Sequence, residues 1–156
     1  MNDNEILEAT AAGIESVVAE WRPKLIALEE DVARHKPTPE RWAIAEVIGH
    51  LVDSACNNHQ RFIRAQFCDD ELVFPKYDQN QWAAAANYAK HDWGSLVELW
   101  CHYNSLIATV IRNIPEEALS KKCTITPYDP CTLEFLVTDY LTHLHHHFKI
   151  LDGRIK

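Results

Sequence analysis

The spacing of apolar residues constrains the fold of this chain more than any other feature. Four long stretches repeat bulky apolar residues every three or four positions, which is typical of helices with one face in a core. They predict helices over about 4–34, 42–67, 92–114 and 132–151. Only four glycines are present, which disfavours a turn-rich β fold. We therefore predict an all-α four-helix bundle in a single domain over residues 1–156.

Proline residues and one long connection divide these stretches. Pro23 lies inside the first, so that helix either kinks or is replaced by two shorter helices. The connection from about residue 68 to 91 is predicted to contain a short helix over about 79–89, and it forms a long crossover between the second and third long helices. Residues 115–130 are expected to be irregular, since the weak alternation over 123–126 is too short to predict a strand.

The acidic composition limits the classes of partner. The net charge is −8, so general binding to nucleic acid is not expected. No apolar stretch is long enough to span a bilayer, and Met1–Glu5 does not resemble a secretory signal. The five cysteines include no C-x-x-C pair, which favours reduced thiols in a cytoplasmic protein. We expect a small-molecule substrate.

The last predicted helix carries a pair of histidines with metal-ligand spacing. His143 and His147 are four residues apart, about 40° around a helix axis, so both imidazoles face one point. Such a pair can bind Zn²⁺ or a similar ion. His145 points to the opposite side of the helix, and the surrounding apolar pattern argues against a purification tag. The alternative is a pair of ordinary surface or buried histidines.

A third ligand must come from another helix, and His50 is the best candidate. It belongs to a polar stripe on the second long helix, beside the apolar face, that contains His50, Asp53, Ser54, Asn57 and Arg61. Three neutral imidazoles leave coordination positions open for water or substrate, as in catalytic metal sites. Zn²⁺ is the first expectation for the metal, with Ni, Fe or Mn as alternatives.

No catalytic residue follows from the spacing alone. Asp53, Asn57 and Tyr140, together with Asp139, are candidates to orient the imidazoles by hydrogen bonds. Their simpler interpretation is ordinary helix-surface polarity. The sequence does not assign a general base.

Two segments resemble the DinB/YfiT-like family. Residues 41–54 read R-W-A-I-A-E-V-I-G-H-L-V-D-S, which is similar to the family pattern W-S-x-x-E-x-x-x-H-L-x-D-S. Residues 140–147 read Y-L-T-H-L-H-H-H and resemble its closing histidine motif. Between them, residues 77–82 and Tyr88 fit the middle region of the family, so the resemblance covers nearly the whole chain.

The resemblance implies a four-helix bundle with the distinctive connectivity of that family, frequent homodimerisation and a three-histidine metal site. That site maps onto His50, His143 and His147. The sequence departs from the pattern at Ala43, which replaces a capping Ser, and at Lys149, where many members carry Gln. The second change puts the transfer of substrate specificity in doubt.

The resemblance also implies chemistry at an open coordination position. Members with assigned reactions use the metal to activate a low-molecular-weight thiol, and transfer of such a thiol to a small electrophile is therefore the first expectation. Two alternatives stay open. One is a metal-dependent hydrolase of a small substrate, and the other is a non-catalytic, stress-associated metal-binding module.

Overall fold

Four long helices form the body of the molecule. The structure, a computed structural model, describes residues 2–155. The bundle helices are α1 (Asp3–Ile26), α3 (Ile44–Phe67), α5 (Trp93–Arg112) and α6 (Leu133–Asp152). Helices α1 and α3 each pack against both α5 and α6. The predicted four-helix bundle is confirmed, and no helix within residues 2–155 is long and apolar enough to cross a membrane.

The first predicted helix is divided, but not at its proline. Helix α1 continues through Pro23 and ends at Ile26, and a short α2 (Glu30–Arg34) follows. The predicted interruption at Pro23 was therefore wrong, and the stretch divides instead at residues 27–29. The carbonyl of Leu25 accepts a hydrogen bond from the indole Nε1 of Trp93 at 2.9 Å, so α5 satisfies one of the last carbonyls of α1.

Helix α3 begins without a side-chain cap. Ala43 is the N-cap residue, and its backbone N–H donates to Oε2 of Glu46 at 2.8 Å. Glu46 therefore keeps its half of a capping box although the position has no hydroxyl. Helices α5 and α6 do begin with a side-chain cap, because Asp92 accepts from the N–H of Ser95 and Thr132 from that of Phe135.

A small sheet and a short helix fill the connections. The long crossover contains β1 (Glu71–Pro75), α4 (Gln79–Ala86) and a 3₁₀ turn (Tyr88–Lys90). The segment before α6 contains a second 3₁₀ turn (Glu116–Ala118) and two strands, β2 (Lys122–Thr126) and β3 (Cys131–Thr132). Strand β2 pairs in parallel with β1 and antiparallel with β3. The expectation of an irregular segment over 115–130 was therefore wrong for β2, whose alternation is the signature of a strand with one buried face.

Gly49 allows the crossover to pack on α3. A Cβ at this position would overlap the ring of Tyr88, which is buried against the helix. We expect Gly49→Ala to lower the free energy of unfolding by about 1–3 kcal/mol, because the ring must move and cannot do so freely in a packed core. Urea unfolding measures this.

Gly94→Ala is the matched control. Gly94 also lies in a helix, but its added Cβ would meet nothing closer than 3.7 Å. That variant should be unchanged or more stable by up to about 1 kcal/mol. Equal destabilisation of both variants would contradict the proposed contact.

Candidate metal centre

Helices α3 and α6 bring three histidines together inside the bundle. His50 on α3 is 3% exposed, while His143 and His147 on α6 are partly buried. Helix α6 buries one stripe of residues, which consists of Leu133, Leu136, Val137, Tyr140, Leu144, Phe148 and Leu151. That stripe fixes the rotation of α6 and turns both of its inner histidines toward His50. His145 and His146 are exposed.

The three imidazoles meet through the same ring nitrogen. Nε2 of His143 lies 3.3 Å from Nε2 of His50 and 3.0 Å from Nε2 of His147. One ligand nitrogen from each residue lies within 4.8 Å of the other two. The structure thus brings together all three residues that the sequence predicted as ligands.

This geometry fits a metal ion better than hydrogen bonding between rings. An imidazole nitrogen carries one lone pair or one proton, directed along one line in the ring plane. Nε2 of His143 faces two other nitrogens at once, and its ring is inclined at 74° to each of the two neighbouring rings. A tetrahedral Zn²⁺ about 2.0–2.1 Å from each ligand would separate the nitrogens by roughly 3.3 Å. The observed spacings are close to that value.

Burial keeps the three imidazoles neutral. It lowers the pKa of His50 to about 4, with the neighbouring His143 adding to the effect. Burial and then the adjacent histidines lower the pKa of His147 to about 3. Burial also lowers the pKa of His143, although Asp139 acts in the opposite direction. Neutral imidazole is the form that binds a metal.

Few side chains within residues 2–155 form hydrogen bonds to the imidazoles. Nδ1 of His143 lies 3.5 Å from Oγ of Ser54, one turn after His50 on α3. Nδ1 of His50 is buried and has no hydrogen-bond partner among the described residues. The rings of Trp42 and Tyr77 lie against His50 at 5.2 and 6.4 Å between centroids. Two aromatic rings therefore flank the buried His50.

Of the four residues expected to orient the imidazoles, the side chain of Asp139 forms no hydrogen bond to residues 2–155, and the other three form hydrogen bonds elsewhere. Asp53 accepts a hydrogen bond from the hydroxyl of Tyr88. Asn57 donates to the backbone carbonyl of Asp53 at 2.8 Å. The hydroxyl of Tyr140 donates to Asn104 at 2.7 Å. All three are buried, so they belong to the interior rather than to the helix surface.

A cleft of about 830 Å³ opens beside the cluster. His50 and His143 form part of its wall, and Ser54, Asn58 and Arg61 continue that wall along α3. The opposite wall comes from segment 76–80 after β1 and segment 125–128 after β2. Sequence reasoning missed this wall, because the sheet that places it was not predicted.

Comparisons with known proteins agree with this architecture. A model of the DinB superfamily matches residues 14–151. The fold matches YfiT from Bacillus subtilis with a TM-score of 0.84, covering 95% of this chain and 85% of YfiT at 17% sequence identity. YfiT is described as a probable metal-dependent hydrolase with an unusual four-helix bundle topology. No curated protein sequence matches the chain significantly.

The lowered histidine pKa values predict acid sensitivity of the metal-free protein. In the unfolded chain these groups take up protons near their ordinary pKa of 6.5, whereas His50 and His147 in the folded chain do so only near 4 and 3. The unfolded state therefore binds more protons as the pH falls below about 6.5, and stability is lost.

We expect the loss of unfolding free energy between about pH 7.5 and 5 to be smaller in His147→Gln than in the wild type. His145→Gln, on the exposed side of the same helix, should match the wild type. Denaturant titrations at both pH values measure the difference. An identical loss in His147→Gln and the wild type would contradict the burial of a neutral imidazole.

Proposed function

Since this chain belongs to the DinB superfamily, we propose that it is a metal-dependent hydrolase of a small substrate, with the metal held by His50, His143 and His147. The observation that carries the proposal is the convergence of three neutral imidazoles through Nε2. Three protein ligands leave open coordination, which distinguishes catalytic from structural sites. Zn²⁺ is the proposed ion, and Ni, Fe or Mn are alternatives with the same ligand type.

The choice of hydrolysis over thiol transfer reverses the order expected from the sequence. The description of YfiT supports hydrolysis as the first candidate, although the 17% identity itself shows only a common fold. The cleft supports a catalytic role over a purely metal-binding module, since about 830 Å³ beside the histidines accommodates a small molecule. Thiol transfer remains the second candidate, because the same volume accommodates a thiol together with an electrophile.

A bound divalent ion would supply Lewis acidity and make water nucleophilic near neutral pH. The residues of the chain supply the rest. The imidazoles remain neutral and so remain available as ligands over the physiological range. Trp42 and Tyr77 flank the ring of His50, and Tyr77 also lines the cleft. The cleft admits substrate beside His50 and His143.

Asp139 is the proposed general base. The carboxylates lining the cleft are Asp78 and Asp139, and Asp78 is occupied as the N-cap of α4. Asp139 forms no hydrogen bond to residues 2–155, is exposed and precedes His143 by one helical turn. Residues four apart on a helix lie on one side, about 5–6 Å apart at Cβ. Its carboxylate is thus placed to accept a proton beside the histidines.

Metal content and the reaction type can be tested together. Untagged wild-type protein should carry close to one metal equivalent by elemental mass spectrometry. His50→Ala and His143→Ala should lower metal affinity by more than about tenfold, while the exposed control His145→Ala should retain it. Wild-type protein that stays metal-free after supply of divalent ions at neutral pH would contradict the proposal.

The loaded protein is then assayed on a panel of esters and amides, with and without an added low-molecular-weight thiol. Product formation that does not need the thiol supports hydrolysis. A thioether product that requires the thiol supports transfer instead. Bound metal without turnover of any panel substrate, with or without the thiol, favours the non-catalytic module.

Asp139→Asn tests the general base separately. The amide keeps the size of the side chain but cannot accept the proton, so kcat should fall by about 10²–10⁴. Metal content should be unchanged, since Asp139 is not among the three clustered ligands. Unchanged kcat in this variant would remove Asp139 from the mechanism.

A further inference from the structure

Arg61 is a buried cation in the wall of the cleft that the proposed chemistry does not use. It lies on α3, in the same polar stripe as His50, and is only 9% exposed. A buried guanidinium is normally paired with a carboxylate, because an uncompensated charge is costly in the interior. Arg61 has no carboxylate within 4.0 Å among residues 2–155.

The hydrogen bonds of this guanidinium are also incomplete. Nη1 donates to Oδ1 of Asn58 at 3.3 Å, which is a long hydrogen bond. Nε is sealed from solvent and has no partner among the described residues. Nη2 has no acceptor there either, but it is not one of the sealed atoms. Most of the donor capacity of Arg61 is therefore unused.

A structural role through the ring of Phe74 does not explain this arrangement. The guanidinium carbon of Arg61 lies 5.2 Å from the centre of that ring. Arg64, one turn later, contacts the same ring at 6.0 Å while remaining exposed. Contact with Phe74 is therefore possible without burying a charge.

The side chain of Arg61 is directed along the cleft toward the histidines. Helical side chains lean toward the N-terminus of their helix, and the hydrogen bond to Asn58 follows that direction. Eleven residues separate His50 from Arg61, a rise of roughly 16 Å, and the lean and length of the side chain shorten the gap to on the order of 10 Å. Lys76 adds a second, exposed cation to the opposite wall.

We propose that Arg61 binds an anionic oxygen group, a carboxylate or a phosphate, on the substrate whose reacting bond lies at the histidine cluster. A forked guanidinium suits the paired oxygens of either group. Lys76 then contributes charge at the entrance of the cleft. The assignment of the anion to a substrate rests on the proposed function, whereas the anion site itself does not require the metal.

The direct test uses metal-free protein, so that the probe anion cannot bind the metal. Sodium butyrate and inorganic phosphate are titrated separately into protein labelled with ¹⁵N at arginine, and sodium chloride controls for ionic strength. We expect a saturable shift of the Arg61 Nε–H signal with at least one of the two anions, and no matching shift of Arg64. The anion that saturates identifies the group recognised.

Arg61→Met should weaken binding of that anion at least about tenfold, because a charge-assisted hydrogen bond is lost. Arg64→Met is the matched control and should bind as the wild type does.

In the absence of anion, the melting temperature of Arg61→Met should equal or exceed that of the wild type, since a buried unpaired charge is removed. Arg61→Lys, which keeps the charge and loses the fork, should give intermediate affinity. Absence of a saturable shift with both anions, or equal affinity in Arg61→Met, would overturn the inference.

A substrate pair links the anion site to turnover. Metal-loaded wild type should hydrolyse an ester that carries a remote carboxylate with kcat/KM at least about tenfold above that of its uncharged isostere, and Arg61→Met should lose this preference. Hydrolysis by a protein that binds neither anion would overturn this inference alone. Anion binding by a protein that takes up no metal even when divalent ions are supplied would overturn the proposed function alone.

Discussion

Helix α3 buries a polar face, and the elements that surround this helix must accommodate its polar groups. His50, Asp53, Ser54, Asn57 and Arg61 are all buried. Among the described residues, five buried side-chain atoms lack a hydrogen-bond partner, and three belong to His50, Asp53 and Arg61. Unsatisfied groups cost stability, so their concentration on one helix indicates a functional face. An apolar α3 would pack as well in a bundle and would have no metal ligand.

The crossover completes this face. Because β1 pairs with β2, the chain segments that follow both strands are placed opposite α3 and form the second wall of the cleft. The turn before α5 then places Tyr88 over Gly49, where its hydroxyl donates to Asp53. The small sheet therefore contributes more to the shape of the site than to the core of the bundle.

Much of this architecture could be predicted from the sequence, for a clear physical reason. Helix positions and the His143/His147 pair follow from local periodicity, since residues four apart share a face wherever the helix packs. His50 lies on another helix, and the family resemblance implied it as the third member of the cluster. The pairing of the sheet could not be predicted in this way, because Glu71 pairs with Lys122 across a long separation, and the short alternation over 123–126 does not indicate its partner strand. The hydrogen-bond partners of Asp53 and Tyr140 were missed for the same reason. Three expectations stay predictions: that the chain is a single domain, that it forms a homodimer, and that it does not bind nucleic acid in general.

The two buried ionisable residues of α3, Asp53 and Arg61, have different roles, one in holding the fold together and one in binding a ligand. Asp53 and Arg61 are eight residues apart, a rise of about 12 Å, and do not form an ion pair. Asp53 is engaged by Tyr88, so its charge is used to fasten the crossover. Burial raises the pKa of Asp53, and the hydrogen bond from Tyr88 opposes that rise. No comparable partner is supplied to Arg61, and its positive charge remains directed at the cleft. If stability alone determined this face, both Asp53 and Arg61 would be paired with an opposite charge or replaced by apolar residues. An anionic substrate would instead supply the missing partner of Arg61 when it binds.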